Sequence, residues 1–137
     1  IAIENITVDN KHNELQSLHF KNRKIFSKLD ITTDFLPEGT VCLVREVLQH
    51  LSNEDIFLFI KNIRGKFKYL IVTENLPEGN FKPNYNIKSN PDIRQIFNSG
   101  VVLHKPDFNL KFKSSKILLK INSNSGNSIV ETILYEL

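Results

Sequence analysis

One cysteine is too few for a disulfide within the chain. Cys42 lies inside an apolar run, where a thiol is expected to be buried and unreactive in a reducing compartment. No apolar stretch approaches the ~18 residues that mark a membrane span, and no signal-peptide pattern opens the chain. A cytoplasmic protein without a membrane partner is the expectation. Cys-x-x-Cys and His-x-x-x-His are both lacking, and His104 stands alone, so no metal site is expected. Gly-x-Ser-x-Gly and Gly-x-x-x-x-Gly-Lys are lacking too, which argues against an esterase elbow and a phosphate loop. The five glycines fall at positions 39, 65, 79, 100 and 126, and none forms Gly-x-Gly. The first residue is Ile1 rather than Met, so the chain is read as a fragment of something longer.

What is present is ordinary for a soluble domain. The 137 residues are 40% hydrophobic and 24% charged, enough for one domain, 1–137, with a substantial core. The net charge of +3 comes from lysines scattered among acids, the pattern of a solvated surface rather than a nucleic-acid stripe.

The most informative stretch runs from Gly39 to Leu51. Thr40–Val44 is short, apolar and β-branched, bounded by Pro37-Glu38-Gly39, and reads as a strand buried on both faces. Charge arrives at Arg45 and Glu46, where such a strand emerges at its carboxyl end. Val47, Leu48 and Leu51 follow on a helical beat. Ser52 then opens a helix from Asn53 to about Lys61, with Glu54 and Asp55 at its positive end and Ile56, Phe59, Ile60 and Ile63 on one stripe.

Around this stretch the chain alternates. Ile1–Glu4 reads as a strand. Asn5 to about Phe20 reads as a helix, on which His12 and His19 are surface residues. Lys24–Asp30 reads as a second strand. Lys68–Thr73 is another buried parallel-type strand, stopping at Glu74. From Asn75 to about Lys111, prolines, glycines and asparagines predict a long loop with a short helix near Asp92–Asn98. Ser115–Ile121 and Ser128–Tyr135, joined by Asn122 to Asn127, predict a hairpin.

Four parallel-type strands therefore end in charge: at Glu4, Asp30, Arg45-Glu46 and Glu74. Charges appear at strand ends simply because water begins there. They also suit a nucleoside, since carboxylates accept ribose hydroxyls and amino groups at the carboxyl edge of an open sheet.

The segment Cys42-Leu-Val-Arg-Glu-Val-Leu-Gln-His-Leu-Ser-Asn-Glu-Asp-Ile56 resembles the one after the fourth strand of class I S-adenosylmethionine (SAM)-dependent methyltransferases. The resemblance implies an α/β, Rossmann-like class I methyltransferase sheet, mostly parallel, with a carboxyl-terminal antiparallel hairpin and without the first strand. It implies SAM as cofactor. Glu4, with Asp9 as the alternative, would hold the ribose; Asp30 and Ile31 would contact adenine; Arg45 would line the methionine end beside Glu46. Glu46, His50 or Glu74 could serve as a base toward an unknown methyl acceptor. Residues 75–111 would form the substrate-side loop region.

The chain departs from the family in lacking the Gly-x-Gly loop that approaches the methionine moiety through bare backbone. Weak or absent SAM binding by the chain alone is the expectation, with a missing amino-terminal segment or a homo-oligomer partner filling the central gap. Two other classes remain: a degenerate methyltransferase-like interaction or regulatory module, and a nucleic-acid-binding domain using the long loop.

Overall fold

A computed structural model describes residues 27–123 and 127–137. The expected strand at Ile1–Glu4, the helix to Phe20 and the start of the Lys24–Asp30 strand lie outside them, as do Glu4, Asp9, His12 and His19. Of that second strand, Ser27–Leu29 carry no strand structure and Asp30 makes a one-residue bridge.

β1 (Gly39–Arg45) leads through a 3-10 turn (Leu48–His50) into α1 (Asn53–Ile63), and α1 leads into β2 (Phe67–Pro77). β1 and β2 are parallel, with Val44 opposite Val72 and Arg45 opposite Thr73. A second 3-10 turn (Arg94–Phe97) interrupts the long loop, and β3 (Ser114–Asn122) and β4 (Ser128–Glu136) form the hairpin. The sheet order is β1-β2-β4-β3. β4, not β3, joins the parallel pair, running antiparallel along nine residues of β2.

The sheet is thus α/β and mixed. The expectation of a mostly parallel sheet does not hold among the described residues, where one pair is parallel and two are antiparallel. The physical reason is β2. It is 11 residues long rather than six, because β4 continues to pair with it beyond the last β1 partner, Thr73.

α1 forms as its sequence dictates. The Ser52 hydroxyl accepts the Asp55 N–H at 3.1 Å, closing the first turn. Ile56, Phe59, Ile60 and Ile63 are all buried against Leu70, Val72 and Tyr135. Among the described residues, only this face of the sheet is covered. On the other, Val41, Leu43, Leu119 and Ile121 are exposed, Leu43 to 75%. The reading of β1 as buried on both faces is therefore corrected: Cys42 and Val44 face α1, while Val41 and Leu43 face outward. Burial holds the Cys42 thiol up at about 11, so it stays protonated.

The long loop is ordered by its own polar side chains and supplies Val101, Leu103, Phe108 and Leu110 to the core. It can lie this close to β2 because residue 100 is glycine. A Cβ there would stand 2.6 Å from Leu76 Cδ2.

Candidate functional site

β1 leaves the sheet at Arg45, and the chain turns at Glu46, whose φ of 52° is left-handed. The Glu46 N–H still donates to Thr73 O at 2.7 Å, so the turn is tied to β2. This conformation redirects the backbone from strand into the 3-10 turn and leaves the Glu46 side chain beside Arg45, with Oε1 3.7 Å from Arg45 Nε. Both side chains reach solvent.

The 3-10 turn is gripped from two sides. The N–H groups of Leu48 and Gln49 donate to Glu74 Oε1 and Oε2 at 3.1 and 3.0 Å. The Arg94 guanidinium takes the carbonyls. Nη1 donates to Leu48 O and Gln49 O at 3.0 and 3.1 Å, and Nη2 to Leu51 O at 2.6 Å and Asn53 Oδ1 at 2.9 Å. Nε donates to Tyr85 O at 2.8 Å. A 3-10 turn is too short to satisfy its own ends; here one carboxylate and one guanidinium satisfy them. Glu74 is 2% exposed and Arg94 1%.

Burial sets the ionisation of this pair. It pushes the Glu74 carboxyl up to about 8, against the two N–H donors and the Arg94 charge, which pull it down. It lowers Arg94 to about 10, against the Glu74 charge, so the guanidinium remains protonated at neutral pH. Glu74 was expected at a strand end, among the candidate bases. It lies instead inside β2 with both oxygens engaged, closed to a substrate.

His50 ends the 3-10 turn half-buried. Its Nδ1 lies 3.3 Å from Asp92 O and its Nε2 3.4 Å from Gln49 Nε2. Gln49 is buried, and its Oε1 has no hydrogen-bond partner. Arg45, Glu46 and His50 therefore share one rim at the carboxyl end of β1, with Glu74 beneath it.

Asp30 and Ile31 do not join that rim. Asp30 Oδ1 accepts the N–H and hydroxyl of Thr32 at 2.8 and 2.6 Å, and the hydroxyl contact is the main reason the carboxyl titrates below its usual range. Ile31 O and Asp34 O accept from Asn62 Nδ2 at 3.0 and 2.8 Å. Asn62 belongs to the last turn of α1, which runs back from the carboxyl end of β1 to the amino end of β2. Asp30 and Ile31 are thus held at the amino end of the parallel pair, opposite Arg45. The strand-end rule failed here because a charge after an apolar run does not tell which way the run is crossed.

Sequence reasoning missed Arg94, Asn84 and Asn53. A single arginine between Ile93 and Ile96-Phe97 is the only cue to Arg94, and it is faint. Among the described residues no group of three or more His, Cys, Asp or Glu side chains is arranged to hold a metal, and no helix is long and apolar enough to cross a membrane. Comparison with family models, curated proteins and solved structures finds no match to the chain.

Proposed function

We propose that the chain is the carboxyl-terminal part of a class I SAM-dependent methyltransferase-like domain, contributing its fourth strand, acceptor-side loop and closing hairpin. Alone it binds SAM weakly or not at all. The observation that carries this reading is the end of β1. A parallel strand stops at a polar pair, turns through Glu46 and presents His50 on a 3-10 turn before a Ser52-capped helix. The hairpin, antiparallel against β2, agrees with the carboxyl-terminal antiparallel hairpin that the resemblance implies.

The described residues do not make a SAM site. Asp30 and Ile31 lie at the other end of the parallel pair from Arg45, and no Gly-x-Gly loop exists to admit the methionine moiety. Within this chain, Glu46 and His50 keep reach to solvent and would border an acceptor; Glu74 holds their turn in place.

Titration with SAM tests the proposal. Calorimetry should give no micromolar binding. Amide NMR at millimolar SAM should shift Arg45–Leu51 first. Micromolar affinity would overturn the claim of incompetence. Shifts that avoid Arg45–Leu51 would overturn the methyltransferase reading.

A second reading, an interaction module on a methyltransferase-like scaffold, is favoured by an apolar face that the described residues leave uncovered. Leu43, Ile71 and Leu134 stand in one row across β1, β2 and β4, and Leu119 and Ile121 continue the face on β3. Stable self-association lost on substitution of this face would support it.

A further inference from the structure

On the α1 face of the sheet, between the β3–β4 hairpin and the loop from Gly79 to Lys105, lies a cavity of about 590 Å³. Small-molecule sites run from about 300 to 1,000 Å³ and join apolar walls to a few convergent polar groups. This cavity has that composition. Leu76, Val102, Ile117 and Ile133 line it with hydrocarbon. Ile117 is 54% exposed although it stands on the α1 face opposite Ile133, because neither α1 nor the loop covers the hairpin there.

The charges on the same lining are unequal. Lys120 Nζ is 3.3 Å from Glu131 Oε2, and the Glu131 side chain is only 10% exposed. That pair is internally balanced. Lys105, exposed at the mouth, has no acidic partner for its ammonium among the described residues. His104 hydrogen-bonds Tyr135 Oη through Nδ1 at 3.0 Å, and burial and Lys105 hold its ring below its usual value, so it adds no charge at neutral pH. The cavity therefore carries one unmatched positive charge, at Lys105, beside an apolar wall of Leu76, Val102, Ile117 and Ile133.

We propose that this cavity binds a small amphipathic anion: an aromatic or branched apolar body seated against Ile117 and Ile133, with one carboxylate, sulfonate or phosphate at Lys105. Glu131 is the specificity element. Paired with Lys120, it consumes the second cation and so disfavours a dianion. The site is separate from the Arg45–His50 rim and does not depend on what that rim does.

The test uses the 137-residue chain and 8-anilinonaphthalene-1-sulfonate, whose ring system and single sulfonate match the proposed class. Fluorescence should saturate at one probe per chain, and uncharged N-phenyl-1-naphthylamine should bind more weakly. Lys105→Gln should weaken the sulfonate probe about threefold, the size expected of one partly solvated charge pair. Glu131→Gln should strengthen it by a similar factor, since it frees Lys120. Lys105 is exposed and glutamine is close to isosteric with Glu131, so both variants should fold. A purely structural ion pair would not predict opposite signs for the two substitutions.

Unsaturable binding, equal affinity for the neutral analogue, or identical affinities in K105Q, E131Q and the parent would overturn the proposal. So would binding abolished by Leu43→Lys or Ile121→Lys on the opposite face, which would assign the probe to the uncovered surface. These results are independent of SAM titration at the rim.

Discussion

The Glu74 carboxylate accepts the backbone N–H of Gln49 at 3.0 Å across 25 residues of chain, and its second oxygen takes the neighbouring N–H of Leu48. Glu74→Ala would leave both donors buried without partners and should destabilise by about 2–4 kcal/mol. Glu74→Gln keeps one acceptor but turns an amide NH2 toward the other N–H, so it should cost about 1–3 kcal/mol, less than the alanine variant.

The same burial gives a pH dependence with a definite sign. The folded carboxyl is raised from 4.5 to about 8, so the folded state holds a proton that the unfolded state has released in that window. Stability therefore falls as pH rises through it, with a slope that does not exceed about 1.4 kcal/mol per pH unit. His104, lowered by burial, acts in the opposite direction but only as pH falls below 6.5. Urea midpoints should drop between pH 6.5 and 8 in the parent and stay level in E74Q. Parallel behaviour of the two proteins would mean that the carboxylate is ionised throughout.

Arg94 completes the grip on the turn with five donations, four of them to main-chain carbonyls. Lysine cannot reproduce the planar fork. Arg94→Lys should destabilise by more than about 2 kcal/mol, and Arg94→Met by about 3 kcal/mol or more, since it leaves five acceptors without their donors. Chemical denaturation measures both. If R94K matched the parent, the turn would not depend on the fork.

Glu46 holds a φ of 52°, a region that disfavours a side chain by about 1–2 kcal/mol. Glycine removes that strain but adds freedom to the unfolded chain, about 0.5–1 kcal/mol. Glu46→Gly should therefore be neutral or stabilising by up to about 1 kcal/mol, whereas Glu46→Val should destabilise. Thermal melts of the pair would separate a conformational role from one carried by the carboxylate, which both variants lose equally.

Leu43 is the most exposed apolar side chain on the uncovered face. Leu43→Lys should change monomer stability by less than about 0.5 kcal/mol. If the face mediates assembly, sedimentation at tens of micromolar, on the order of 10⁻⁵ M, should show oligomers of the parent that are lost in the variant. Identical sedimentation would remove the interaction reading's main support.

Elements whose signal lies in their own residues were legible. Thr40–Val44, Ser52 with its helix stripe, and the two runs flanking Asn122–Asn127 each fold where their patterns place them. Contributions from distant chain were not legible. Glu74 read as a strand end because nothing near it announces β4, whose pairing carries β2 on to Pro77. The loop read as a substrate-side insertion because its order comes from Arg94 and Asn84, single polar residues whose partners are backbone atoms far along the chain. Asp30 and Glu74 show the same limit on the candidate site: a charge after an apolar run marks where a strand can end, but neither its end of the sheet nor its exposure.

Asn84 joins the two halves of that loop, and its role can be separated into backbone and side-chain parts. Its φ of 62° is left-handed, which asparagine tolerates better than most residues. Its Oδ1 accepts the Val102 N–H at 2.8 Å while Nδ2 donates to Val102 O at 3.0 Å, and its own N–H donates to Gly100 O at 2.9 Å. The side chain thus substitutes for a missing strand partner beside the core residues Val101 and Leu103. Asn84→Gly keeps the conformation and loses the side-chain bonds, so it should destabilise by about 1–3 kcal/mol. Asn84→Ala loses both and should be worse by about 1 kcal/mol. Asn84→Asp keeps the acceptor but turns an oxygen toward Val102 O, and should fall below the glycine variant as well. Urea denaturation at pH 7 ranks the three, and an aspartate variant as stable as the parent would show that the donor half of the amide does not hold the loop.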